Sequence, residues 1–297
     1  LDDHGMLAAA LDRSDHGADI ADTAIYYEFP HDRVVEAAYS LLGASERAEL
    51  HARIGGVLKA ALPEADHGAR VFDYIDHQNL GKELLRTLEA RRELAASNYV
   101  AAERARKSAA YASAIAYLDT ALGLLSDAEW QADAARRFGC ARMRVECSFL
   151  SGRVDEARGA CDALFERAPG PLERVAAYCL KAAILEQQSL LAEAVTTILQ
   201  GLRELGVELP SEPAAIEQGI GAGIGKMLAH LERVPIEGLS KLPQATDPLR
   251  VAITELLFQI IPAASQINPP LFILAELVLF DEALTHGLLD DEPGAGR

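Results

Sequence analysis

Apolar side chains recur at steps of three and four along most of this chain, the spacing of one helix face. Residues 34–42 form the first such stretch, with Val34, Val35, Ala38, Leu41 and Leu42 on the expected buried side. Gly43 stops it, and Ser45 can cap the next helix. There Leu50, Ile54, Val57, Leu58 and Ala61 make a second stripe, ended by Pro63. Residues 65–70 read as a turn. Residues 71–79 resume helix with Phe72, Ile75 and Leu80, and residues 82–94 and 99–112 continue it. The segment before residue 30 differs. Residues 6–11 read as a short helix and 12–19 as a polar connection. Ile25, Tyr26, Tyr27 and Phe29 carry the one convincing strand signal, with Ala21-Asp22-Thr23 as a turn. A helix, a small β-hairpin and a further helix outline a winged-helix-like unit that lacks its first helices.

Beyond residue 110 a longer period appears. Ala114, Leu118, Ala121 and Leu122 follow a small–bulky–small–bulky order. Ala157, Cys161, Leu164 and Phe165 follow it more loosely, and Ala194, Ile198, Gly201 and Leu202 follow it again. The first members lie 43 and then 37 residues apart, from 114 to 157 to 194. Helical-pair repeats have periods of about 34 residues in the tetratricopeptide type and about 40 or more in longer types. Their small residues let the second helix of each pair approach its neighbours. The punctuation agrees. Ser126-Asp127-Ala128-Glu129 is a capping box, Gly152 turns one helix into its partner, and Gly170-Pro171 opens the next pair with Pro at the first helical position. Pro213 starts another helix, and Asp247-Pro248 caps one running to about residue 261. Pro262 and Pro269-Pro270 divide the remaining apolar stretch. The expected fold is mainly α: an irregular α-solenoid of tetratricopeptide-like hairpins over residues 63–287. The winged-helix-like remnant occupies 1–62, and an acidic, Gly-rich disordered tail occupies 288–297.

Composition sharpens this. Half of the 297 residues are apolar and only 6% are aromatic, which suits close helix packing. The net charge of −17 argues against a nucleic-acid or anionic-membrane surface, since both are held by excess Lys and Arg. No secretory signal opens the chain. The apolar run at 271–280 is too short for the roughly 20 residues a membrane span needs, so a cytoplasmic setting is expected. Cys140, Cys147, Cys161 and Cys179 form no C-x-x-C pair and read as reduced core thiols.

The chemical motifs do not survive spacing tests. Gly219-Ile220-Gly221-Ala222-Gly223-Ile224-Gly225-Lys226 looks like a phosphate loop. That motif requires Gly-Lys-Ser/Thr with another Gly five before. Met227 follows Lys226, and Ile220 stands five before Gly225. The glycines fit either a loosened helix or a close helix contact. His31-Asp32-Arg33 is not a kinase catalytic loop, which reads His-Arg-Asp with Asn five residues on; Ala37 stands there. His67 and His77 read as surface and packing residues. No catalytic, cofactor or metal residue emerges, so no enzyme activity is expected. The most specific string, residues 27–39, reads instead as a structural joint. Its members are Phe29, His31, Asp32, Arg33 and Tyr39, with Asp32 capping the following helix.

Phe29-x-His31-Asp32-Arg33-Val34 with Ala37-Ala38-Tyr39-Ser40-Leu41 resembles the segment after the nucleotide-binding core of large bacterial signalling ATPases of the AAA/STAND type. The likeness continues through Leu50-His51-x-Arg53-Ile54-Gly55, Phe72-Asp73-Tyr74-Ile75-Asp76-His77-Gln78-Asn79-Leu80-Gly81 and Ala112-Ser113-Ala114-Ile115-Ala116-Tyr117-Leu118. It reaches Asn268-Pro269-x-Leu271-Phe272 and Thr285-His286-Gly287. In that family the core precedes a winged helix and a long tetratricopeptide-like region. Serine/threonine kinase, GAF and histidine kinase domains often flank them.

The resemblance implies an internal fragment of such a parent. ATP and Mg would bind only in an upstream domain absent here. The partners implied are that ATPase domain, downstream signalling domains and a protein or peptide on the helical array, with no nucleic acid and no membrane. The expected role is a non-catalytic regulatory scaffold coupling the ATPase core to a sensing surface. The alternative is a helical-repeat segment of an ATPase-type transcriptional regulator.

Overall fold

The computed structural model describes residues 8–10, 26–28, 32–232 and 242–289. The chain is mainly helical. It divides into two compact units, Leu1–Ser97 and Asn98–Arg297.

In the first unit, β1 (Ala8–Ala10) pairs antiparallel with β2 (Tyr26–Glu28), Ala9 opposite Tyr27. Ala8–Ala10 are therefore strand, not part of the expected helix at 6–11. The strand signal at Tyr26 and Tyr27 is realised. A tight hairpin is not seen, because residues 11–25 separate the two strands, whereas hairpin loops are commonly two to five residues. The expected turn at Ala21-Asp22-Thr23 lies outside the described residues.

Three helices follow: α1 (Asp32–Leu41), α2 (Ala44–Ala60) and α3 (Ile75–Leu80). A 3-10 turn at Val71–Asp73 leads into α3. The two large apolar stripes expected here are not buried. In α1, Leu41 is 83% exposed and Val35 also faces solvent. In α2, Val57 is 62% exposed, and Leu50 and Leu58 are exposed too. The side of α2 that packs on α3 carries small residues, with Gly55 buried. A Cβ on Gly55 would lie 3.0 Å from the Gln78 backbone nitrogen, and one on Gly81 would lie 2.7 Å from Ala52 Cβ. Helices this close leave no room for the bulky stripe. In the following segment Val71, Tyr74 and Ile75 are buried, while Phe72 and Leu80 are exposed. The α2–α3 seam joins residues on either side of residue 62 within one compact unit.

The boundary between the units falls inside α4 (Leu88–Lys107). The second unit continues with α5 (Tyr111–Gly123), the short α6 (Asp127–Trp130), α7 (Ala134–Leu150), α8 (Val154–Arg167), α9 (Pro171–Gln187) and α10 (Leu191–Glu204). Then come α11 (Pro213–Leu231), α12 (Pro248–Ile267) and α13 (Pro269–His286). Packing runs α5 on α7, α7 on α8, α8 on α9 and α9 on α10. It goes on through α10 on α12 and α12 on α13, with α11 against α13.

Three of the helix connections in this part of the chain close alike. The connections α4–α5, α7–α8 and α9–α10 each turn through one residue in the left-handed region: Ala109 (φ 57°), Gly152 (φ 81°) and Ser189 (φ 59°). In each, the next amide donates to a carbonyl five residues back. The bonds are Ala110 to Ala105 at 2.8 Å, Arg153 to Ser148 at 2.9 Å and Leu190 to Leu185 at 2.9 Å. This is the Schellman closure of a helix end. Each turn residue precedes the small residue of its repeat by five, at Ala114, Ala157 and Ala194, all buried. Leu118, Ala121, Cys161, Leu164, Ile198, Gly201 and Leu202 are buried as well.

Several sequence signals hold at atomic detail. The Ser126 amide donates to Glu129 Oε2 at 2.8 Å, and the Glu129 amide returns to Ser126 Oγ at 3.4 Å. Pro171 opens α9, and Asp247 caps α12 through the Leu249 amide at 2.9 Å. Pro262 does not end α12, which runs on to Ile267. Ala263 and Ala264 are buried in the core just past it, and that packing offsets the backbone hydrogen bond a proline removes. The glycine run is helix in α11. A Cβ on Gly219 would come 3.0 Å from Leu274, and one on Gly223 would come 3.0 Å from Leu277. The close-contact reading of these glycines is the one realised.

Substitutions at the turns and in the seams separate these effects. A left-handed L-residue costs about 1–2 kcal/mol and a glycine's lost freedom about 0.5–1, so Ser189→Gly should raise the urea midpoint slightly while Gly152→Ala lowers it. Ala114→Leu should cost about 1–3 kcal/mol by overpacking. Ala116→Leu, on the exposed side of the same helix, should stay within about 0.5 kcal/mol. Equal effects of the two leucines would contradict the seam.

Candidate functional site

The first unit holds the densest polar junction around the sequence-predicted joint. It begins at the corner between α1 and α2. Gly43 precedes α2, and its amide donates to Glu46 Oε2 at 2.7 Å. This glycine, not Ser45, is the cap position. Arg47 then reaches back to the open carbonyl end of α1. Its Nε donates to the Leu42 carbonyl at 2.9 Å and its Nη2 to the Ser40 carbonyl at 3.3 Å. A cation suits that helix end, where unpaired carbonyls gather partial negative charge. The same guanidinium lies 4.8 Å above the Tyr39 ring, a cation–π contact.

From Tyr39 the junction continues inward. Its hydroxyl is 3.0 Å from His51 Nε2. His51 Nδ1 is 2.8 Å from His77 Nδ1, and the two rings stack with centroids 5.0 Å apart. One helix therefore contributes each member: Tyr39 from α1, His51 from α2, His77 from α3. Burial first, and then the charge of His77, push His51 below the ordinary imidazole value of 6.5. Deeper along the seam, His67 Nε2 donates toward the carbonyls of Lys59 (3.0 Å) and Leu62 (3.2 Å) at the end of α2. Tyr74 OH donates to the His67 carbonyl at 3.1 Å.

Of the five joint residues expected from sequence, Tyr39 is in this junction. Phe29 and His31 lie outside the described residues. Asp32 is the first residue of α1, and Arg33 beside it is exposed. His51 and His77 were missed as a pair. They lie 26 residues apart, outside any local spacing rule, although both sit in the strings that carry the family resemblance.

The second unit contributes ordered charge. Arg144 of α7 donates to Asp119 of α5 at 2.5 Å, and Lys181 of α9 to Asp162 of α8 at 2.8 Å. The two cations stand eight residues before their turns, and the two aspartates five after their repeat alanines. The same bridge thus links successive hairpins. Nearer the end, Lys226 and His230 of α11 both meet Asp281 of α13, at 2.9 and 3.1 Å. Burial opposes ionisation of Asp281, but these two partners outweigh it and hold its carboxyl below the usual range. Lys226 is thereby a helix-to-helix tie.

An open depression of about 360 Å³ on α9 and α10 is lined by Lys181, Leu185, Glu193, Thr196 and Thr197. Both threonine hydroxyls donate to carbonyls of their own helix. The cysteines are free; burial pushes Cys140 and Cys179 up to about 12 and Cys147 and Cys161 up to about 11. Such thiols are poor nucleophiles at neutral pH. Among the described residues no cluster of three His, Cys, Asp or Glu converges, and no helix is long and apolar enough to cross a membrane. Neither a family model nor a curated protein matches the chain.

The seam that carries the junction is sensitive to single methyl groups. Gly81→Ala should destabilise the first unit by about 1–3 kcal/mol through overpacking against Ala52. At Gly56 a Cβ meets open space, so Gly56→Ala should be neutral or stabilising by up to about 1 kcal/mol. Hydrogen exchange across α2 and α3 would separate the two.

Proposed function

We propose that the chain is a non-catalytic regulatory and scaffold segment of a bacterial signalling ATPase. Its first unit is read as the remnant of a winged helix following the ATPase core. Its second unit is read as an irregular α-solenoid of tetratricopeptide-like hairpins. The observation that carries this reading is the recurrence of one hairpin. The left-handed turn, the five-residue closure and the buried small residue repeat together at intervals of 43 and 37 residues, 109 to 152 to 189. Stacked helical hairpins give each repeat contacts only with its neighbours and create extended surfaces. Such a surface suits a protein or peptide partner. The cytoplasmic setting belongs to the same reading.

The role of the segment is to pass occupancy of that surface to the ATPase core through the α1–α3 junction. Joined to the ATPase core of its parent, the segment should change the rate of ATP hydrolysis several-fold, and Gly81→Val should abolish that change while the core's own rate persists. The segment alone should hydrolyse no ATP. Turnover by the purified segment that tracks one of its own side chains would overturn the proposal, as would a core indifferent to the segment.

A further inference from the structure

The geometry points to the His51–His77 pair as a proton-operated latch between α2 and α3, closed when one proton is shared and released when both rings are charged. The contact itself sets the condition. Two Nδ1 atoms 2.8 Å apart form a hydrogen bond only if one bears a hydrogen and the other a lone pair. Tyr39 OH, 3.0 Å from His51 Nε2, fits either arrangement. It accepts from Nε2–H when His51 Nδ1 is the acceptor, and donates to Nε2 when His51 Nδ1 carries the hydrogen. The neutral pair is satisfied both ways. A first added proton goes to an outer Nε2 and leaves the facing bond in place; a second puts hydrogens on both facing nitrogens. The bond is lost, and two like charges stand in stacked rings.

The surroundings leave this conflict little relief. The seam is held at close range, with a Cβ on Gly55 only 3.3 Å from His77 Cβ, which sets the two imidazoles face to face. Arg47 of α2, over the Tyr39 ring, adds positive charge. On α2, Lys59 is engaged with Glu93 at 2.5 Å. On α3, the Asp76 carboxylate precedes His77 in sequence. Lys82 and Glu83, of opposite charge, follow in the 3-10 turn at Lys82–Leu84.

Two nitrogens fall short of the three or four protein ligands a zinc ion takes, and no third donor joins them among the described residues. A proton is the occupant that fits. The sign is set by linkage. The folded state holds His51 below 6.5, so the open state binds more protons just below that pH. Closure is therefore complete above about 6.5 and is lost as pH falls through the folded midpoint.

The test is a pH titration of the full chain with labelled histidines, read by nuclear magnetic resonance together with amide exchange of α3. The His51 midpoint should lie below 6.5 and rise toward it in His77→Gln. Exchange of α3, corrected for its intrinsic pH dependence, should grow by up to about tenfold per pH unit as the pair takes up a proton. His77→Gln should flatten that growth, and so should His51→Gln if the first variant folds poorly. A His51 midpoint unmoved by His77→Gln, or α3 exchange independent of pH in the unsubstituted chain, would overturn the latch.

Discussion

Two helices approach only as closely as the side chains between them allow, and here the closest approaches are made by Ala, Gly and Cys. Ala114, Ala157 and Ala194 lie fully in the seams of the second unit, and Cys161 takes the following place in one of them. Gly201 sits under the Tyr178 ring, where a Cβ would be 2.9 Å away. That nearness lets Tyr178 OH donate to Glu204 at 2.6 Å. Burial alone would raise the Glu204 carboxyl, but the bonds from Tyr178 and Arg174 hold it low. The same constraint sets the first unit, where Gly55 and Gly81 bring α2 against α3. Small residues thus determine which larger groups meet.

This explains which parts of the molecule were legible in the sequence. In the second unit small and bulky residues share one helix face, so hydrophobic periodicity and close packing point the same way. The buried positions, the Ser126 box and the caps at Asp247 and Pro171 could all be read directly. In α2 the two criteria point to opposite faces. Periodicity selects Leu50, Val57 and Leu58; packing selects the side with Gly55. A rule that follows large apolar residues must then choose wrongly. Pro262 misled for a related reason, since a local breaker was overridden by burial of its neighbours.

The junction itself was only partly visible. Tyr39 belonged to a distinctive local string, but its partners come from two other helices. No spacing rule joins residues 39, 51 and 77. What the sequence did contain was the pair of glycines that bring those helices together, Gly55 four residues after His51 and Gly81 four after His77. Those glycines set the close approach at which the two imidazoles meet.

The bridges from Arg144 to Asp119 and from Lys181 to Asp162 stand at the solvent edge of seams whose interiors are uncharged. Their aspartates are 51% and 76% exposed, so dissolved ions compete for them, with screening over about 8–10 Å near physiological ionic strength. The alanine seams feel no such competition. Successive hairpins are therefore joined by a salt-indifferent axle and a salt-sensitive stay. Added salt weakens these exposed bridges and leaves the alanine packing in place.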